Sequence, residues 1–315
     1  MLPEHARILS TPVNLRRIEA FLAVADAGSI SRAARHLAVA QSVVSRHVGA
    51  LEAELGTRLF ARTGRGVVLT DAAQQLAPRL RASLEDMARA TQAAADWGDQ
   101  PSGVVRVGLV PAATRPLVGL LHRRVRARYP RIRLQFVDGF SNALEERLVQ
   151  GELDLAVINR FDLATHRGEE RLCVLASQVV GPAGAFGPDP SEIGFRELAE
   201  LPLVVASRPN GLRVALDQLC RQTEVQLNIV VEADSLLTMK DLVLQAGLHT
   251  VLPHHVVHED VQAGRMSVAR LVRPELPRVL SLLVTGSHVA TAAMRTVAHE
   301  LRDVVQRELV PAVWK

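Results

Sequence analysis

Residues 41–47 read QSVVSRH, and four of these seven side chains can read a base edge or a phosphate. Glutamine pairs bidentately with adenine, arginine with guanine or a phosphate, and serine with either. On a helix, Gln41, Ser42, Ser45 and Arg46 gather at the N-terminal end, away from the apolar side that carries Val44, Val48 and Leu51. Two other stretches could carry chemistry. GFSNA (139–143) follows a strand pattern and approaches the G-x-S-x-G nucleophile turn, which would make Ser141 the nucleophile of a hydrolase. Ala143 stands where the last glycine is needed, no histidine partner is identifiable, and a helix cap is the simpler account. HHVVHED (254–260) sets His254 and His258 four residues apart, a spacing that could hold a metal. It lacks an identifiable third ligand, and a solvated helix explains it as well.

The elements around QSVVSRH explain how such side chains would be presented. LRRIEAFLAVADA (15–27) puts Leu15, Ile18, Leu22 and Ala25 on one helical stripe; Gly28 ends that helix, and Ser29 or Ser31 caps the next. Two short helices then meet across a corner at 38–40. Ala33, Ala34 and Ala38 supply small residues for the contact, and Leu37, Val39, Val44, Val48 and Leu51 the apolar side. That is the pattern of a helix-turn-helix, in which the first helix braces the second in the major groove. TRLFARTGRGVVLT (57–70) holds glycines between β-favouring runs and reads as a hairpin, a wing that lays Arg62 and Arg65 along the DNA backbone. Charge agrees. Between Ser29 and Thr70 lie Arg32, Arg35, Arg46, Arg58, Arg62 and Arg65 against Glu52 and Glu54, an excess equal to the whole chain's net charge of +4. Ser31 and Arg32, at the start of the bracing helix, complete the candidate DNA-binding set.

Thr70 suits the N-cap of a long helix from Asp71 to about Trp97, with a kink expected at Pro78. Ala73, Ala77, Leu80, Leu84, Met87, Thr91 and Ala94 alternate in steps of four and three, the seam of a helix that pairs with a second copy. The competing account is an amphipathic helix lying on its own domain. WGDQPSG (97–103) reads as a hinge. After it, buried strands (104–110, 132–138, 153–159) alternate with helices (111–129, 142–150), a parallel α/β sheet. A second α/β unit follows a Gly/Pro-rich loop, with strands at 202–207, 227–234 and 249–253 and helices at 212–222 and 236–245. A strand at 278–286 and a helix at 290–308 close the chain. Two cysteines, Cys173 and Cys220, give neither a disulfide framework nor a zinc set and suit a reducing cytoplasm. Neither a signal peptide nor a membrane span is legible. That argues against an exported binding protein, as does the DNA-binding pattern.

Residues 14–76 together closely resemble the N-terminal domain of LysR-type transcriptional regulators. The resemblance rests on F..VA..GS...AA..L, on QS.VSRH...LE.ELG..LF.R and on GRGV.LT.A, and the later elements follow the family's order to about residue 310. VDGFSNALEERLVQGELDLAV (137–157) also resembles the nitrogen-assimilation control members. The chain departs from the pattern at three places: Ala40 replaces a capping serine, Ala73 a glycine, and GLH (247–249) the usual GLG.

The resemblance implies a winged helix-turn-helix over 14–70, a linker and dimerisation helix over 71–97 and a hinge at 98–103. It implies an effector domain over 104–315, made of two Rossmann-like subdomains of the periplasmic-binding-protein type II kind (104–165 with 278–310, and 166–277). It implies a non-enzymatic cytoplasmic regulator, with no cofactor or metal, that binds double-stranded promoter DNA as a homodimer or homotetramer, with RNA polymerase a further candidate partner. It places a small-molecule coinducer between the subdomains. The matching positions are Pro111, Ala112, Ala113, Thr114, Phe140, Ser141 and Asn159 on one side, and Ser207, Pro209, Asn210, Arg213, Asp234, Ser235 and His249 on the other. A helix N-terminus at Ala112–Thr114, the Ser141 hydroxyl and Arg213 would favour a small anion.

Overall fold

The computed structural model describes residues 14–63, 66–95, 100–187, 192–286, 290–312 and 314. Arg65, Trp97 and part of the hinge therefore lie outside the described residues, as do the side chains of Arg62 and Ala94. The chain divides into two compact units, one ending at Ala88 and one beginning at Arg89.

In the first unit, α1 (Leu15–Ala27) starts at Asn14, whose side chain accepts from the Arg16 N–H, and stops at Gly28, which takes the left-handed φ of 59°. Ser29, not Ser31, caps α2 (Ile30–His36). The corner before α3 (Gln41–Leu55) turns on Ala38, which adopts φ 55° and is exposed. Ala38 makes the turn rather than the helix contact, and only Ala33 and Ala34 are buried there. Val39 is likewise exposed. The buried face of α1 is wider than the expected stripe: Ile18 and Leu22 are buried as expected, Leu15 is exposed, and Ala20, Phe21 and Val24 are buried as well. The reason is that α1 packs on α2 and α3 at once, with Phe21 also meeting Phe60 at a ring-centroid distance of 5.5 Å. Full burial of Phe21 contributes about 2 kcal/mol on transfer grounds.

The wing pairs β1 (Phe60–Thr63) antiparallel to β2 (Gly66–Leu69), with Phe60 opposite Leu69. It docks on the end of α1, where the Val67 N–H donates to the Gly28 carbonyl at 3.1 Å. A Cβ on Gly66 would lie 2.4 Å from that carbonyl oxygen, so glycine is required. Thr70 caps α4 (Asp71–Ala95), its hydroxyl accepting from the Ala73 N–H at 3.3 Å; the helix runs unbroken through Pro78. Ala73 and Ala77 are buried in a core with Ile18, Leu22, Leu51 and Leu59, and Leu80 and Leu84 pack against it. The first half of the expected pairing seam thus serves the unit's own core. Met87 and Thr91 are exposed.

Among the described residues the second unit holds a five-stranded sheet, a four-stranded sheet and a two-stranded parallel pair. The first orders its strands β4-β3-β5-β13-β6, with β3 (Gly103–Leu109) parallel to β4 (Ile132–Asp138) and β5 (Leu155–Arg160). β13 (Pro277–Val284) returns from the far end of the chain and runs antiparallel to β5 and β6 (Glu169–Ala176). α5 (Pro111–Arg128) and α6 (Ser141–Val149) cover this sheet together with α11 (Ala292–Asp303), which continues through a π-helical turn. α5 breaks at Arg115, whose φ/ψ of −104°/133° is the extended geometry imposed by the following Pro116. β6 was expected in the second subdomain; its pairing with β13 puts it in the first sheet, so the change of sheet falls at Ser177.

The second sheet is not the simple parallel unit expected. β7 (Gln178–Pro182) runs antiparallel to both β11 (Thr250–Leu252) and β12 (Met266–Val272), and β8 (Glu192–Gly194) adds parallel to β12. α7 (Phe195–Leu198) follows β8, and a parallel pair, β9 (Leu203–Val205) and β10 (Ile229–Glu232), lies alongside. α8 (Gly211–Thr223), α9 (Leu236–Ala246) and α10 (His254–Gln262) complete it.

Candidate functional site

In the first unit, Gln41, Ser42, Ser45 and Arg46 are all exposed on α3, beside exposed Ser31 and Arg32 of α2. The helix core side (Val44, Val48, Leu51) turns them outward. The Ser31 hydroxyl donates to Gln41 Oε1 at 3.0 Å and orients that carboxamide at the start of the helix. Ala40 makes no side-chain cap bond, and Ser42 does not replace one. The two acids of the segment are turned to structural work. Glu54 pairs with Arg17. Glu52 Oε1 accepts from the Leu59 and Phe60 N–H groups at 2.8 and 3.3 Å, while Oε2 meets Arg58 at 2.9 Å. The exposed charge of α2 and α3 is consequently positive. Arg62 stands on β1 opposite Val67.

In the second unit, a cleft of about 590 Å³, counting its open mouth, lies between the first sheet and the β9–β10 pair, at the carboxyl ends of β3, β4, β5, β9 and β10. Pro111, Ala112, Phe140, Ser141 and Asn159 line it from one side, and Asn210 and Asp234 from the other. Ser141 is neither a helix cap nor a free hydroxyl: Oγ donates to the Asn159 carbonyl at 3.1 Å and accepts from the Asn159 N–H at 3.0 Å. It straps α6 to the end of β5. Asp234 accepts from the Ser207 N–H at 2.8 Å, joining the loops after β9 and β10. Asn210 caps α8 through the Leu212 N–H.

The other expected positions fall outside the lining. Ala113 is buried in the first core, Ser235 caps α9, and Pro209 is exposed. Thr114 donates to Asp138 at 3.1 Å, and the break at Arg115 leaves its helix N-terminus a single turn. His249 is buried beside Phe186, its pKa lowered by burial; its N–H donates to the Pro202 carbonyl, so the altered GLH stretch feeds the strand ladder beside Leu203. Arg213 is committed elsewhere: Glu232 and Asp217 hold it in hydrogen-bonded ion pairs, and they raise its pKa.

The lining contains a cation that the sequence reading did not select. Arg278 stands at the start of β13, on the same face as buried Leu280 and Leu282, and is 4% exposed. Among the described residues its Nε and Nη2 have no hydrogen-bond partner, and its guanidinium lies 4.8 Å from the centre of the Phe161 ring. Burial pushes it down to about 10. The signal was in the alternation of RVLSL (278–282), which puts a charge at an inward position. Phe161, Leu236, Met239 and Leu252 give the cleft apolar walls. Behind the floor, the His255 Nε2–H donates to the Ala112 carbonyl at 2.6 Å and its ring lies 5.2 Å from that of Trp314. Burial, above all, takes His255 down to about 4. The His254 and His258 rings meet edge to face at 5.2 Å, and among the described residues no group of three His, Cys, Asp or Glu could hold a metal. No helix of the described residues is long and apolar enough to cross a membrane.

These features agree with what the chain is similar to. Residues 15–74 match the family model described as "Bacterial regulatory helix-turn-helix protein, lysR family", and residues 98–306 that described as "LysR substrate binding domain". The HTH-type transcriptional regulator BbuR of Bordetella bronchiseptica is 29% identical, over 94% of this chain and 92% of that protein. The nitrogen assimilation regulatory protein nac of Escherichia coli K12 is 27% identical, over 86% and 88%. Among solved structures, full-length OxyR from Pseudomonas aeruginosa shares the fold with a TM-score of 0.67 at 21% identity, over 94% of this chain and 96% of that one. The chain belongs to the LysR family: it is a DNA-binding transcriptional regulator with an effector-binding substrate domain.

Proposed function

We propose that this regulator reads promoter DNA with Gln41, Ser42, Ser45 and Arg46, aided by Ser31 and Arg32, and that a small molecule in the cleft of the second unit sets its output. The observation that carries the reading is the cleft itself, lined from two sides by a few polar groups on an apolar wall. A ligand there shifts the regulator by binding one arrangement of the two subdomains better than the other. Arg62 and Arg65 serve the DNA backbone in this reading. The functional division is a DNA-binding domain to residue 70, α4 as linker, and an effector domain beyond the hinge. Pairing of two chains along the later part of α4, at Met87, Thr91 and Ala94, would set two recognition helices about one DNA turn apart on an interrupted palindrome. Effector domains pairing into a tetramer would place both dimers where RNA polymerase is recruited, in the cytoplasm. Hydrolase chemistry is disfavoured because both hydrogen-bonding faces of Ser141 Oγ are held by Asn159. The test is a gel shift with the intergenic DNA beside the gene, paired with a promoter reporter. Gln41→Ala should relax base preference, and unchanged specific affinity would remove Gln41 from the interface.

A further inference from the structure

The floor of the cleft holds a charge that no carboxylate among the described residues answers. Arg278 is buried, and its two unpartnered nitrogens, Nε and Nη2, form one edge of the guanidinium, the edge that grips a carboxylate through two parallel hydrogen bonds. Phe161 lies under the guanidinium carbon at 4.8 Å and offers no hydrogen-bond acceptor. Taking a guanidinium out of water without a partner is costly, and an anion with two acceptor oxygens on that edge would offset the cost. The surrounding groups fit that account. Asn159 Oδ1, also in the lining, is buried without a partner and would take a donor from a ligand. His255, behind the floor, is neutral at physiological pH and does not compete for the anion. Asp234 is exposed at the opposite wall and opposes a second negative charge. Phe140, Leu236, Met239 and Leu252 leave the remaining surface apolar.

We propose that the cleft is a receptor for a monoanionic amphiphile, whose carboxylate is held side-on by Nε and Nη2 of Arg278 and whose apolar body lies along Phe140, Leu236 and Met239. The proposal rests on the reading of the cleft as the effector site. It assigns the anion to Arg278, on the first sheet, and not to Arg213, whose guanidinium is already shared by Asp217 and Glu232.

The test uses the full chain and matched probes: hexanoate and 3-phenylpropanoate, their primary amides, and hexyl phosphate as a dianion. Binding is read by calorimetry and by the thermal midpoint at millimolar ligand. The expected result is that both acids raise the midpoint and bind at least about tenfold more tightly than their amides, and more tightly than hexyl phosphate. Arg278→Met should bind acid and amide alike, and its unliganded midpoint should not fall, because an unpaired buried charge has been removed. Arg278→Lys keeps the charge and loses the fork; it should still prefer acid to amide at an affinity about tenfold lower. The proposal is overturned if neither acid binds, if acid and amide bind the wild type equally, if the dianion binds best, or if Arg278→Met keeps the acid preference. The promoter reporter separates this from the effector reading. An acid that binds through Arg278 and leaves transcription unchanged sinks the effector reading and keeps the receptor. A transcriptional response that survives in Arg278→Met sinks the receptor and keeps the effector reading.

Discussion

Glu52 offers the sharpest test of how the DNA-binding unit is held in shape. Its carboxylate reaches from α3 to the first residues of the wing, taking the Leu59 N–H at 2.8 Å and the Phe60 N–H at 3.3 Å on one oxygen and Arg58 on the other. Glu52→Ala would strand two amides. Leu59 is fully buried, so its orphaned N–H costs about 1–3 kcal/mol; the longer Phe60 bond adds about 1 kcal/mol. The Arg58 pair contributes at most about 0.5 kcal/mol, since Arg58 is 85% exposed. The sum is a loss of about 2–4 kcal/mol for Glu52→Ala, about 1 kcal/mol for Glu52→Gln, which keeps an acceptor, and almost nothing for Arg58→Ala. Amide hydrogen exchange reads this locally, which matters because two compact units need not unfold together. Protection at Leu59 and Phe60 should fall at least about thirtyfold in Glu52→Ala. Operator affinity should fall with it, as the wing loses its fixed start. The reasoning fails if Glu52→Ala and Arg58→Ala exchange alike at these two amides.

Three further outcomes follow from the structure. His255 is held neutral down to about 4, against 6.5 when unfolded, so its contribution is intact above pH 6.5 and is lost as pH falls toward 4. Melting curves across that window should show up to about 3 kcal/mol less dependence in His255→Gln than in the wild type. On the proposed pairing along α4, Met87→Asp, at a 49% exposed position, should weaken self-association in sedimentation without unfolding its unit, whereas Leu80→Asp should lower the unit's own stability by a few kcal/mol, because Leu80 packs on the core of Ile18, Leu22 and Leu51. Burial pushes the Cys173 thiol up to about 12, so iodoacetamide at pH 8 should leave it unmodified in the folded chain and label it after denaturation, by mass spectrometry.

Local pattern alone determined a large part of this protein. Apolar periodicity and caps placed α1 at 15–27 to the residue and β4 at 132–138 to the residue; they put Gly28 in its left-handed cap and Thr70 at the head of α4. Such elements depend on side chains within a turn or two of each other, and that information is contiguous. The exposure of Gln41, Ser42, Ser45 and Arg46 was legible for the same reason: their apolar neighbours share the helix.

Tertiary structure decided what joined distant segments. β6 joined the first sheet because β13, arriving from far along the chain, ran beside it, and no property of residues 169–176 announces that neighbour. Ala73 and Ala77 have the spacing of a pairing seam, yet they were taken up by α1 and α3, since a helix stripe records that a face is covered and not what covers it. The cleft turned on the same point. Arg213 and Arg278 are both arginines near a loop in sequence. One met Asp217 and Glu232 and is neutralised; the other met Phe161 and an apolar floor. Whether a charge is spent or waiting depends on partners that only the folded chain brings within hydrogen-bonding distance.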